Sequence, residues 1–145
     1  GLRQAIVTTS GRGSVSALAH RHGASLGQAF SFWVCGEDVE RKKPDPHGYQ
    51  LAIERLGLEP SAILAIEDSR NGLQAAVAAG LRCLVTLSDS SRWEGGPSGT
   101  DGFEAALAVL DSLGEQERPL GLLRGPACPT GRVTLSWLQQ LSVVP

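Results

Sequence analysis

The chain has 145 residues, 41% of them hydrophobic and 19% charged, and its 13 Lys and Arg against 15 Asp and Glu leave a formal charge of −2. That length suits one domain, the composition excludes a charge-rich disordered chain, and the lack of a basic excess argues against nucleic acid as a partner. No stretch approaches the roughly 20 apolar residues that span a bilayer, and no cationic-then-apolar leader opens the sequence, so no membrane partner is expected and the cytoplasm, or a plastid stroma, is the expected compartment.

The first apolar run, Gln4 to Thr8, is rich in β-branched residues and stops at Thr9-Ser10-Gly11-Arg12-Gly13. It reads as a buried strand feeding a polar turn. Val15, Leu18, Ala19 and His22 then recur at helical spacing, with Ser14 placed to cap the start and Gly23 the end. A second apolar run, Phe30 to Cys35, precedes Gly36-Glu37-Asp38. The next helix is the best signposted: Asp45 suits the N-cap, Pro46 the first helical position and Gly57 the end, and Tyr49, Ala52, Ile53 and Leu56 form its apolar face. Ala62 to Ile66 is uninterrupted and apolar, the pattern of a strand buried on both faces, and it stops at Glu67-Asp68-Ser69. Ser69 caps a helix bearing Leu73, Ala76 and Val77 that ends at Gly80, and Cys83 to Leu87 is a fourth strand.

Ser88 to Gly102 is a Ser/Gly/Asp-rich loop; Asp101 with Glu104 resembles a capping box ahead of a helix on Phe103, Ala106, Leu107 and Leu110. Strands alternating with helices predict an α/β fold, a parallel sheet with helices on both faces. Residues 1–114 are expected to form that core. Residues 115–145 read as a Gly/Pro-rich tail with one short strand or helix between Arg132 and Leu141.

In open parallel sheets, ligands bind at the carboxyl ends of the strands. Thr8, Thr9 and Ser10 end the first strand, Glu67 and Asp68 end the third, and Lys43 lies in the loop before the Pro46 helix. Hydroxyls and turn amides hold phosphate oxygens, Lys neutralises charge, and paired carboxylates suit Mg²⁺, a hard cation that prefers oxygen. Singly, each feature has a plainer reading: turn chemistry for the hydroxyls, a solvated run with Arg41 and Lys42 for Lys43, and a helix cap for Asp68 or Ser69. Their convergence on one sheet edge favours phosphoryl chemistry. Cys35, Cys83 and Cys128 are odd in number and widely spaced, which opposes a disulfide framework or a zinc site.

Three segments resemble motifs of the haloacid dehalogenase-like phosphatases. Ala5 to Ser10 is similar to an apolar strand ending in Thr or Ser, Lys42-Lys43-Pro44-Asp45-Pro46 with Tyr49 to a Lys ahead of Pro and a helix, and Ile63 to Gly72 to a strand ending in paired acids. The Glu-Asp-Ser-x-x-Gly form resembles the branch of β-phosphoglucomutase, phosphoglycolate phosphatase and the CbbY-like sugar phosphatases. The resemblance implies a three-layer Rossmann-like core and an Asp nucleophile that forms an aspartyl-phosphate, which water hydrolyses. It implies that Thr8 holds the phosphoryl group, Lys43 neutralises it, and Thr9 and Ser10 add contacts. Asp68 would ligate Mg²⁺, Glu67 would ligate or orient it through water, and Ser69 and Asn71 would support the metal loop.

The family's first motif, Asp-x-Asp, has no counterpart here: Asp38, Asp45, Asp68, Asp89, Asp101 and Asp111 include no pair so spaced. The first strand and the helical cap domain are expected to be missing with it, so the 145 residues read as the back part of a longer enzyme. The lack of any methionine fits the same expectation. A monomer acting on a small phosphorylated metabolite is expected, phosphatase for the parent and inactive alone. A phosphomutase and a non-catalytic α/β interaction module stay open as alternatives, whereas a receiver domain is opposed by the order hydroxyl, Lys, acid pair.

Overall fold

The computed structural model describes residues 2–141; Gly1 and the last four residues of the predicted tail lie outside the described residues. The strands fall into two sheets. β1 (Ala5–Val7) pairs in parallel with β2 (Phe32–Val34), and between them run α1 (Arg12–Arg21) and α2 (Ala24–Ala29). After α3 (His47–Leu56), β3 (Leu64–Glu67), α4 (Arg70–Ala78), β4 (Arg82–Thr86) and β5 (Ala108–Leu110) give three parallel strands, with the register Ala65↔Cys83 and Val85↔Val109. β6 (Leu122–Arg124) then joins β5 antiparallel, and α5 (Leu135–Leu141) closes the described chain.

The period of two along β4 and β5 divides the core. Cys83, Val85 and Val109 face one side with Leu73, Ala75 and Ala76 of α4, Tyr49 of α3 and Phe103. Leu84, Ala108 and Leu110 face the other, against Trp137 and Leu141 of α5. Helices therefore cover both faces of β4 and β5, as an α/β layer requires. Val7 and Ile53 pack on the first cluster, so α3 and α4 lie on one face and bring the two sheets together. Among the described residues, no helix is long and apolar enough to cross a membrane.

Three expectations are corrected. No helix forms over Phe103 to Leu110: Ala106-Leu107-Ala108-Val109-Leu110 is a continuous apolar run, and as β5 it is buried on both faces, which a one-sided helix cannot match. Glu104 serves the turn instead, accepting from the Gly102 amide at 2.9 Å. Ser14 does not cap α1. Gly11 stands at the N-cap, and the Glu37 carboxylate, 25 residues away, accepts from the Arg12 amide at 3.0 Å with both oxygens. The third strand is buried on one face only, since Ile66, in register with Leu84, is 46% exposed. The helix expected between Arg132 and Leu141 forms as α5, and the segment before it adds the edge strand β6, with Arg124 tied to the Ala106 carbonyl at 2.8 Å.

Candidate active site

Lys43 spans the two sheets. Its ammonium donates to the Val7 carbonyl of β1 at 2.8 Å and to Glu67 Oε1 of β3 at 2.5 Å. Both side chains are largely withdrawn from water, 15% exposed for Lys43 and 6% for Glu67. The Tyr49 hydroxyl donates to the same Oε1, and the Lys43 ammonium sits 5.1 Å from the Tyr49 ring centroid. A buried charge is tolerated when it is paired and hydrogen-bonded, and this cluster supplies both conditions. Burial first, then the charge of Glu67 and its hydrogen bond, pushes the Tyr49 phenol well above its ordinary range, so it remains a donor. The Cys83 thiol beneath is pushed up to about 12 by burial and by Glu67, which withdraws it from nucleophilic chemistry.

Glycine 72 explains the spacing of its motif. A Cβ there would overlap Glu67 Oε2, so the helix after the acid pair leaves room for the carboxylate only where it lacks a side chain.

At the end of β1, the Thr8 amide donates to the Val34 carbonyl at 2.9 Å, and Thr8 Oγ1 accepts from the Ser10 amide at 3.1 Å. The Thr9 and Ser10 side chains are exposed. Gly36 packs so close that a Cβ would meet the Thr9 carbonyl at 2.5 Å. Thr8, Thr9, Lys42, Lys43 and Tyr49 line one shallow depression. Beyond it, Arg12 pairs with Asp38 at 2.5 Å, and Asp38 also accepts from the Cys35 amide at 2.7 Å. That amide bond, more than Arg12, holds the Asp38 carboxyl below its usual range against the opposing effect of burial.

Asp68 is exposed and faces a different partner from Glu67: its Oδ2 accepts from the Ser88 hydroxyl at 3.3 Å. Ser69 is the N-cap of α4, its Oγ accepting from the Gly72 amide at 3.2 Å. Asn71 is exposed in the first turn of α4 with no hydrogen bond to the site among the described residues. Residues 88–102 are held against α4 by Arg70, whose amide donates to Glu94 Oε2 at 2.7 Å and whose guanidinium donates to the carbonyls of Glu94 and Asp101.

No cluster of three His, Cys, Asp or Glu side chains gathers among the described residues. The oxygen chemistry nonetheless fits magnesium, since Asp68 offers a solvent-facing carboxylate. Glu67 does not offer Oε1, which the ammonium and the phenol occupy.

Of the residues marked by sequence, Thr8, Thr9 and Lys43 meet in one depression, Glu67 anchors Lys43, and Asp68 stands apart with Ser88. Tyr49 was visible as a member of an apolar helix face and of the Lys-Pro motif, but not as a hydrogen-bond donor to Glu67. Ser88 was hidden in a loop of small polar residues, and Glu37 in a polar stretch with no local helix to cap.

A model of the family described as haloacid dehalogenase-like hydrolase matches residues 1–80. The chain belongs to that family. Protein CbbY of Rhodobacter capsulatus is 47% identical over 93 residues, covering 63% of this chain and 41% of that protein. A CBBY-like protein of Arabidopsis thaliana is 39% identical over 116 residues, or 79% of this chain and 34% of that one. The crystal structure of CbbY from Rhodobacter sphaeroides in complex with phosphate superposes with a TM-score of 0.69 at 37% identity, over 77% of this chain and 47% of that one. A mutant of the same protein is in complex with xylulose-(1,5)bisphosphate, with the same overlap. The chain thus spans less than half the length of these relatives.

Proposed function

We propose that this chain forms the carboxyl-terminal part of a Mg²⁺-dependent phosphatase for a small phosphorylated sugar or sugar acid, acting as a monomer in the cytoplasm or a plastid stroma. The observation that carries the reading is the Lys43 ammonium, fixed between Val7 and Glu67 beside Thr8 at the carboxyl ends of β1 and β3. A phosphoryl group lying there meets a positive charge whose position is set before the substrate arrives, the arrangement that stabilises charge developing in transfer. The nucleophile is an aspartate supplied from outside these residues. Its carboxylate attacks phosphorus, the sugar oxygen leaves, and water hydrolyses the aspartyl-phosphate to release inorganic phosphate.

Because the Ser10 amide already occupies a lone pair of Thr8 Oγ1, the Thr8 hydroxyl proton is free to donate to a phosphoryl oxygen. The exposed hydroxyls of Thr9 and Ser10 add contacts at the rim. Asp68 would hold Mg²⁺ directly, and Glu67, committed to Lys43, would orient it through water. When bound, Mg²⁺ neutralises charge on the phosphoryl oxygens. Ser69 supports the metal loop by capping α4, with Asn71 further out. The CbbY structure bound to xylulose-(1,5)bisphosphate supports a pentulose bisphosphate as the first substrate to try.

The test is phosphate release with Mg²⁺ from sugar phosphates, by the protein that carries this chain with its upstream segment. Lys43→Ala and Asp68→Asn are each expected to lower kcat by about 10²- to 10³-fold, the scale of removing one preorganised charge-stabilising group. The 145 residues alone are expected to release none. Near wild-type rates in either variant, or turnover by the 145 residues alone, would overturn the reading.

A further inference from the structure

Residues 88–91 hold an arrangement of hydroxyls that the reaction above leaves unused. Ser88 Oγ contacts Asp68 Oδ2 at 3.3 Å, Ser90 Oγ at 2.9 Å and Ser91 Oγ at 3.0 Å. A serine hydroxyl has one proton and two lone pairs, and an ionised carboxylate can only accept. The Ser88 proton is therefore directed at Asp68, and the protons of Ser90 and Ser91 at Ser88. Ser91 is free to donate in this direction because its competing contact, to the Ser88 carbonyl, is longer at 3.5 Å. Ser91 is buried, 3% exposed, and accepts in return from the Ser88 amide at 2.9 Å. Ser88 Oγ is thus saturated, with two donors polarising it and one acceptor ahead.

We propose that Ser88 is a positioning residue for Asp68: the Ser88–Ser90–Ser91 cluster holds Oδ2 and thereby turns Oδ1 outward as the oxygen that takes a divalent cation. The proposal rests on the reading of Asp68 as the metal ligand. An exposed carboxylate rotates freely about its last torsion, and one committed hydrogen bond to Oδ2 removes that freedom. Outer partners of this kind typically account for 10- to 100-fold in metal affinity. The cluster lies at the carboxyl end of β4, so its position is fixed by the buried strand register Glu67↔Val85 and not by the exposed part of the loop.

The experiment measures Mn²⁺ binding by electron paramagnetic resonance to the protein that carries this chain with its upstream segment, with circular dichroism confirming that each variant is folded. Ser88→Ala is expected to weaken Mn²⁺ binding about tenfold. Ser88→Thr, which keeps the hydroxyl, should restore most of it. The exposed Ser90→Ala should give a smaller loss, since one of two polarising donors remains. Asp68→Asn should abolish binding at this site. If Asp68→Asn removes binding while Ser88→Ala binds like the wild type, the positioning role is overturned and the metal reading stands. If Asp68→Asn binds as the wild type does, or the wild type binds no Mn²⁺ at millimolar metal, the metal reading is overturned and the role of Ser88 goes with it.

Discussion

The two sheets carry the proposed site in unequal ways. In the larger one, β4 and β5 place Cys83, Leu84, Val85, Ala108, Val109 and Leu110 out of solvent altogether, clamped between α4 and α5. In the smaller one, three-residue strands pair only with each other, and Val34 alone among the six strand residues is buried. Yet the smaller sheet presents Thr8, and the acid pair belongs to the larger. A phosphate site divided in this way depends on whatever couples the sheets, which here is Lys43 with Glu67 below the packing of α3 on α4. β1 and β3 each leave an outer edge unpaired among the described residues.

The sharpest way to break that coupling is Glu67→Gln. It leaves the Lys43 ammonium buried without its counter-charge, a change that costs about 3–5 kcal/mol in comparable pairs. Urea unfolding should show that loss, and the triple variant Lys43→Met, Tyr49→Phe and Glu67→Leu should recover most of it, because it removes the uncompensated charge together with the phenol that would otherwise lose its acceptor. A loss below about 1 kcal/mol would mean the pair does not join the sheets. Hydrogen exchange tests the difference in stability directly. The Thr8 amide, bonded to Val34, should exchange at least about a hundredfold faster than the Leu87 amide, bonded to Leu110, because regions with fewer buried contacts open locally. Equal protection would make the two sheets one cooperative unit.

The sequence conveyed the larger sheet better than the environment of its residues. The run at Cys83 to Leu87 marked β4 because burial on both faces leaves no alternation to misread, whereas the equally apolar run at Ala62 to Ile66 marked β3 but concealed that Ile66 lies exposed on one face. Ala106 to Leu110 is the same kind of run, but a plausible capping box upstream favoured a helix, and only packing against Trp137 decides for a strand. Thr8, Lys43 and Asp68 were legible because strand ends and the loop before α3 are local features. Two long-range hydrogen bonds were not: Ser88 is 20 residues from Asp68, Glu37 is 25 from Arg12, and nothing local links either pair.

A smaller perturbation addresses the fit beneath the pair. Gly72→Ala drives a methyl group into Glu67 Oε2, and overpacking of this kind costs about 1–3 kcal/mol. The effect should nearly vanish in a Glu67→Ala background, where the space is open, so a double-mutant cycle assigns it. Additive losses would show that Gly72 is required for the backbone of α4 and not for the carboxylate.

The smallest effect belongs to the edge of the smaller sheet. Asp38 is held below its ordinary pKa chiefly by the Cys35 amide and then by Arg12, so the folded state binds its proton less readily than the unfolded chain. Its stabilisation is therefore present in full above the ordinary carboxylate range, near 4, and fades as pH falls through the lowered native value. Because Arg12 is half exposed, the pair is screened, and the contribution should stay below about 1 kcal/mol. Asp38→Asn keeps an acceptor for the Cys35 amide but removes the charge. It should flatten the acid limb of the thermal unfolding temperature between pH 5 and pH 2 while leaving the neutral value nearly unchanged. If acidification instead loosens β4 amides as early as those of β1 and β2 in both proteins, Asp38 is not what ties the smaller sheet to its loops.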